Sequence, residues 1–471
     1  MKSIVSIVLA TALFHFNTGD DSAKPGNEYH VKIDPKTEIG KVSPGIMGFN
    51  IVYCYEGDKM WDAGKGKVAG LMKGLNPGQL RYPGGTVVTK FHWENPTGQG
   101  WKDSWDPDFD PSKNTSPGTF MDVDEYLQLV KRLKIEPLVG INMGSGMKHG
   151  NVEESLAEAV RLMQHCKKSG VEVKYYYLDN EPYQHDANFT YTAEQYGDMV
   201  NRFVPEMKKV DPDIKIIVNT HPRPDQYIRP LLQKAGKNID YVDVHMYWKW
   251  KNATFANWKD EPLMLHQDKR SYEQQRKLWE GVFAEEGFPS VRLVVLEWNI
   301  GPSAGQAIPK EAEAALMASE QFIQYIRSGL YMSCFWPLSW PRDPAETTRA
   351  LFPERQEYNP GRMYKMFSEF SEIPGNQQVM CTINRDRLIG LGIKSNDGKT
   401  VWVYLVNKNQ DQPASKVVLD MKNFLMKTVE AKGFSSSGKE LSKKDLITEE
   451  NKEAVSLTIP VNSFVKLSLH N

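Results

Sequence analysis

The 471-residue sequence is short of cysteine, of excess charge of either sign and of long hydrophobic runs, and each lack closes off a class of protein. Its four cysteines, Cys54, Cys166, Cys334 and Cys381, are scattered, too few for a disulfide scaffold and at no metal-site spacing. They read as packed thiols, with one disulfide open to them if the chain is exported. Lys and Arg number 58 against 59 Asp and Glu, a net charge of −1. No basic field exists to hold a nucleic acid or an anionic membrane. No GxGxxG or P-loop glycine pattern follows the first strand-like run, and no cofactor is expected. The 35 Gly and 28 Pro are spread along the chain, which excludes collagen-like and low-complexity readings. No segment approaches the about 18 consecutive apolar residues of a membrane span. The nearest is at the start, where Lys2 precedes a short apolar run from Ile4 and then a polar, breaker-rich stretch. That pattern reads as a signal peptide over residues 1–22 and predicts an exported protein, periplasmic or extracellular; a buried N-terminal helix or strand is the alternative.

From Ile46 to Phe370 short apolar runs bounded by turn residues alternate with segments of helical periodicity. The strand candidates are IMGFNI, QLRYPG, PLVGIN, VKYYYLDNE, KIIVNTH, YVDVHMY, RLVVLEW and YMSCFWPLSW. Between them lie Val123–Leu133, Glu153–Lys168, Ala193–Val210 and Glu311–Ile326, with apolar residues near every 3.6 positions. Eight strands apolar on both sides, each followed by a helix candidate, predict a (β/α)8 TIM barrel over 45–372. After Pro374 the pattern changes to period two with turn signals, predicting an appended antiparallel β-sandwich over 375–471. Residues 28–44 are strand-like and are expected to join it, while the charged run Lys443–Glu453 reads as a solvated loop.

Barrel chemistry sits at the C-terminal ends of the strands. Two glutamates close otherwise apolar strands there: Glu181 ends strand 4 and Glu297 ends strand 7. A carboxylate in that setting is costly unless partnered, and two facing each other across one mouth suit glycoside hydrolysis, with Glu181 as acid/base and Glu297 as nucleophile. Around them stand Arg81, able to hold the nucleophile by a charge-assisted bond, Tyr247 to donate to the same group, and Asn180 to bind a sugar hydroxyl. Asn142, His245, Trp248 and Trp336 complete the expected substrate-binding set, the indoles as platforms for the CH faces of sugars. In the long segment after strand 2, Asp106, Asp108 and Asp110 alternate as calcium-loop ligands do, but the glycine at position six and the glutamate at position twelve are missing. A wall of the cleft is the plainer reading, a metal site the alternative, and no metal is assigned.

The strings LRYPGGTVVTKFHWE, VGINMGSG, VKYYYLDNEPY, VDVHMYW and VVLEWN resemble the clan A retaining glycoside hydrolases. Among these they are most similar to the α-L-arabinofuranosidase family, with β-xylosidase and agarase-type families next. The resemblance implies that Asn180-Glu181 supplies the general acid/base and Glu297 the nucleophile, with Arg81, His245, Tyr247 and Trp336 at supporting positions, on a barrel with a β-sandwich. The chain departs from that family at Asp179, where members usually carry glycine, and at Phe49–Tyr53, where they carry a Glu-His segment. The expected protein is a retaining glycosidase acting on plant or algal polysaccharides or oligosaccharides. An endo-acting glycanase and a non-catalytic carbohydrate-binding barrel are the alternatives.

Overall fold

The computed structural model describes residues 28–471 other than 56, 185–189, 225, 341–343 and 355–356. Strand β1 (Glu28–Lys41) precedes the barrel strands β2 (Gly48–Asn50), β3 (Gln79–Tyr82), β4 (Glu136–Ile141), β5 (Tyr175–Leu178) and β6 (Lys215–Thr220). They continue as β7 (Tyr241–Val244), its extension β8 (Met246–Trp248), β9 (Arg292–Ile300) and β10 (Ser333–Phe335). Every barrel pairing is parallel, and β10 pairs with both β2 and β9, which closes the ring. The TIM barrel expected from the eight short runs is therefore present.

Alternation along each strand sets what faces the axis. Leu138, Tyr175, Tyr177, Ile217, Val294, Leu296, Met332 and Cys334 form a packed interior plug. Their neighbours Val139, Tyr176, Leu178, Ile216, Val218, Leu293 and Val295 pack outward against the helices. Those helices begin where the sequence supplies caps: Asp122 with Glu125, Thr192 with Gln195 and Ser271 with Gln274 each form a reciprocal capping box. The plug gives the barrel a solid floor, so a pocket can open only at the strand C-termini.

The remaining strands are β11 (Gln377–Ile383), β12 (Leu388–Lys394), β13 (Thr400–Asn407), β14 (Ala414–Met421), β15 (Thr428–Ser435), β16 (Glu440–Ser442), β17 (Ile447–Glu450), β18 (Ala454–Pro460) and β19 (Ser463–His470). With β1 they form one ten-stranded sheet in the order β16-β15-β19-β13-β12-β11-β1-β14-β18-β17. All its pairings are antiparallel except β1 with β14. The sheet curls over itself, so that Val31, Val403, Leu419, Val429, Val455 and Leu467 share one apolar core as two facing layers. The charged run read as a solvated loop is corrected: Lys443–Leu446 is a helical turn and Ile447–Glu450 an edge strand. Its threonine and glutamates suit that place, because charge on an outermost strand blocks further pairing.

Where sheet and barrel meet, Lys408 and Glu320 form a fully buried ion pair at 2.9 Å. Glu320 also accepts from the Trp258 indole and the Met264 N–H, both at 2.6 Å. Phe370 of the barrel stacks on Tyr404 of the sheet at 4.5 Å.

Candidate active site

The side chains at the C-terminal rim follow from the same alternation. On β7 and β8, Asp243, His245 and Tyr247 face inward at every second residue, whereas Met246 and Trp248 face the helices. Trp248 is completely buried in that outer shell. Its expected place as a sugar platform is therefore corrected by the pleat. Glu297 needs a further device, because Leu296 already points inward. Between Ser333 and Phe335, strand β10 spends two steps while β9 spends three, from Val295 to Trp298. This bulge turns Leu296 and Glu297 both toward the axis and sends Trp298 out to pack against Phe322 and Phe335.

Glu297 is held from two sides. Tyr247 donates its hydroxyl to Oε1 at 2.6 Å and Arg81 Nη1 donates to Oε2 at 3.2 Å. Arg81 is fully buried; the same Nη1 also meets Asn50 Oδ1 at 3.1 Å and the Leu296 carbonyl at 3.3 Å, and Nη2 donates to Asn180 Oδ1 at 2.6 Å. Its guanidinium lies over the Tyr177 ring, 4.4 Å from the centroid. Glu181 accepts from His245 Nδ1 at 2.8 Å, Gln184 Nε2 at 2.8 Å and the Tyr183 hydroxyl at 3.3 Å. Its own N–H donates to Asn219 Oδ1 at 2.9 Å.

His245 stands between the two carboxylates. The nitrogen that meets Glu181 at 2.8 Å lies 3.8 Å from Glu297 Oε2, and its Nε2 meets Asp243 Oδ2 at 3.1 Å. The separation of the two glutamate oxygens therefore cannot exceed the sum of the first two contacts. That ceiling falls at the lower edge of the roughly 6.5–9.5 Å of inverting glycosidases and leaves room for the about 5–5.5 Å of retaining ones. Burial opposes charge on His245, but the carboxylates of Glu297, Asp243 and Glu181 outweigh it and raise its pKa to about 10. The ring is thus an imidazolium at neutral pH. Asp243 is fixed in turn by the Asn219 amide at 2.8 Å and the Leu296 N–H at 2.7 Å.

A cavity of about 570 Å³ opens over the pair, lined by Glu181, Gln184, His221, His245, Tyr247, Trp250, Gln267 and Glu297 among others. Trp250 is 51% exposed at its rim, edge-on to Tyr247 at 4.9 Å. Trp336 lies beside Glu297: a Cβ on Gly85 would come within 3.1 Å of Glu297 Oε2 and 3.3 Å of the Trp336 ring. Glycine at 85 keeps that corner open. Asn142 stays out of the cavity lining, since its amide is used on the Phe91 carbonyl and Ser145 Oγ and its oxygen on the Ser145 N–H.

Three further contributors carry no plain signal in the sequence. Asp243 was passed over although it stands two residues before His245, a spacing that puts both on one face of a strand. Tyr183 and Gln184 stand two and three residues after Glu181, and only the tight turn at 181–184 brings them back onto its carboxylate.

The segment after β3, expected as a wall of the cleft, is braced by a polar cluster and contributes no residue to the lining of this cavity. His92 Nδ1 meets Glu158 at 2.8 Å and Nε2 meets Asp103 at 3.2 Å, while Asp103 also takes His149 at 3.1 Å and the Ser145 hydroxyl at 2.7 Å. Asp106 is paired with Lys148 at 2.9 Å and Asp110 with Lys113 at 3.1 Å. Among the described residues no three His, Cys, Asp or Glu side chains converge as a metal site would require. Burial opposes charge on His92, yet the bonds to Asp103 and Glu158 raise its pKa to about 9 from an ordinary 6.5. Its contribution to stability is then full below pH 6.5 and lost as pH rises through 9. Urea unfolding at both ends of that window is expected to show wild type losing more stability than His92→Gln. Equal losses would mean that the ion pairs of His92 do not brace this segment.

With the geometry in place, similarity to known proteins points the same way. A profile of the α-L-arabinofuranosidase 1 domain matches residues 71–171. An intracellular exo-α-(1→5)-L-arabinofuranosidase 1 of Bacillus subtilis is 23% identical over 261 residues, 48% of this chain and 50% of that protein. The α-L-arabinofuranosidase C of Emericella nidulans is 26% identical over 260 residues, 46% and 49% of the respective chains. The chain thus spans about half the length of these curated relatives. The Thermotoga maritima α-L-arabinofuranosidase, solved as an arabinose complex, shares the fold with a TM-score of 0.68 at 18% identity, over 94% of this chain and all of that one. The chain therefore shares the fold of arabinofuranosidases and is similar to them in sequence, as the strand-end motifs implied.

One expectation is overturned by these relatives. The Bacillus protein and three others are named as intracellular enzymes, against the export read from the N-terminus. A short apolar run carries no unique address, because a buried strand or helix has the same composition. Residues 1–22, read as a signal peptide, lie outside the described residues.

Proposed function

We propose that this chain is a retaining, arabinofuranosidase-like glycoside hydrolase in which Glu297 is the nucleophile and Glu181 the general acid/base. The observation that carries the reading is the placement of both carboxylates on one histidine nitrogen, at 2.8 and 3.8 Å, beneath an open cavity. Glu297 attacks the anomeric carbon as Glu181 gives its proton to the leaving oxygen, producing a glycosyl-enzyme and a free alcohol. Glu181, now a carboxylate, takes a proton from water, which displaces Glu297 and restores both groups. Arg81 and Tyr247 aim the attacking oxygens and complement their charge. Asn180 and Trp336 are the substrate-binding partners nearest this pair. The substrate supported by the relatives' names is an α-L-arabinofuranoside, and an intracellular setting suits short oligosaccharides. The wide cavity and exposed Trp250 support a second reading, an endo-acting glycanase.

A panel of aryl glycosides and oligosaccharides tests the reading, with proton NMR to follow the anomer first released. Glu181→Ala should lower turnover of 4-nitrophenyl α-L-arabinofuranoside by about 10²-fold or more. Azide should restore it by forming a glycosyl azide of retained configuration. An inverted product from the wild type, or no response to azide, would reject the assignment.

A further inference from the structure

Asp179 is fully buried one residue below the Asn180-Glu181 pair. Its backbone is left-handed, with φ of +54°, and Glu181 follows at +45°. Glycine takes that conformation freely, while a residue with a Cβ does so under strain. An aspartate here is thus both strained and desolvated, and neither cost is explained by packing alone. Its side chain gives the explanation. Oδ1 accepts the N–H groups of Met143 at 2.8 Å and Gly144 at 3.0 Å, and Oδ2 accepts the Tyr191 hydroxyl at 3.0 Å. Its own N–H donates to the Ile141 carbonyl at 3.0 Å. One carboxylate thereby ties the turn after β4, the turn after β5 and the entry to helix Ala193–Val210. Immediately above the tie, Asn180 is clamped by Arg81 and the Glu181 N–H by Asn219.

We infer that Asp179 is a positioning residue: its carboxylate locks the left-handed turn that aims Glu181 at the leaving-group oxygen. The inference rests on the acid/base role proposed for Glu181. If the lock works through Glu181, its loss weighs most on reactions that need a proton donated to the leaving group. A residue that merely supports the fold would affect all substrates alike.

The experiment compares Asp179→Gly and Asp179→Asn with the wild type on two arabinofuranosides, one with a methyl leaving group and one with 2,4-dinitrophenyl. Glycine keeps the left-handed backbone but removes the tie; asparagine keeps an acceptor for the Met143 and Gly144 N–H groups. Asp179→Gly should lower kcat/KM for the methyl glycoside by about 10²-fold, the worth of a general acid, while the dinitrophenyl glycoside, which leaves unaided, loses less than about threefold. Asp179→Asn should recover most of the difference. Equal losses on both substrates, or none on either, would overturn the inference and leave the proposed function standing. A wild-type chain inactive on both, and on the wider glycoside panel, would overturn the function itself and this inference with it.

Discussion

Glu297→Gln is expected to lower kcat by on the order of 10⁴-fold or more, the scale of losing a covalent nucleophile, while the barrel stays folded. The amide is nearly isosteric with the carboxylate it replaces. Arg81 can only donate, so the amide oxygen must take the Arg81 side at the position now held by Oε2. Its NH2 group then faces Tyr247, whose hydroxyl can rotate from donor to acceptor. Both partners remain satisfied, and the stability change should stay near the about 1–2 kcal/mol of a charge-assisted bond exchanged for neutral ones. Turnover on an aryl arabinofuranoside and a thermal melt decide between lost chemistry and lost fold. Mass spectrometry of the quenched reaction should show a glycosyl adduct on the wild type and none on the variant. Near-normal turnover in a folded Glu297→Gln would remove this residue from the chemistry.

The barrel was legible because parallel strands buried on both faces leave short apolar runs, and eight of them cannot easily arise otherwise. Glu181 and Glu297 were legible because a carboxylate ending such a run is conspicuous. How Glu297 comes to face inward was not. Its inward aim depends on a bulge on β9, and a bulge inserts a residue without altering composition or periodicity enough to read. Trp248 was misplaced for the complementary reason: on an unbulged extension strand the pleat alone decides, and it sends Tyr247 in and Trp248 out. The meaning of Asp179 was hidden too, since the glycine-like backbone it adopts and the donors that hold it come from three separate loops. An N-terminal run is the weakest signal of all, because its composition is shared by leaders and buried segments.

Arg81 is where fold and chemistry are most tightly coupled. Its buried guanidinium serves Glu297, Asn180, Asn50 and the Leu296 carbonyl together. Lysine offers a point charge without the planar fork, so Arg81→Lys should fold yet lose about 10²-fold in kcat, the loss typical of a misaligned electrostatic contact. Arg81→Met goes further, leaving the Glu297 charge and two amide oxygens without this donor, and should cost roughly 3–5 kcal/mol of stability. The decisive measurement is the double variant Arg81→Met with Glu297→Gln. If the cost of Arg81→Met is mainly an orphaned carboxylate, adding Glu297→Gln should return part of the lost stability, a coupling of about 1–3 kcal/mol in urea unfolding. Additive losses would mean that Arg81 serves the barrel chiefly through Asn50, Asn180 and the Tyr177 ring, and that its contact with Glu297 is a consequence of the packing and not its purpose.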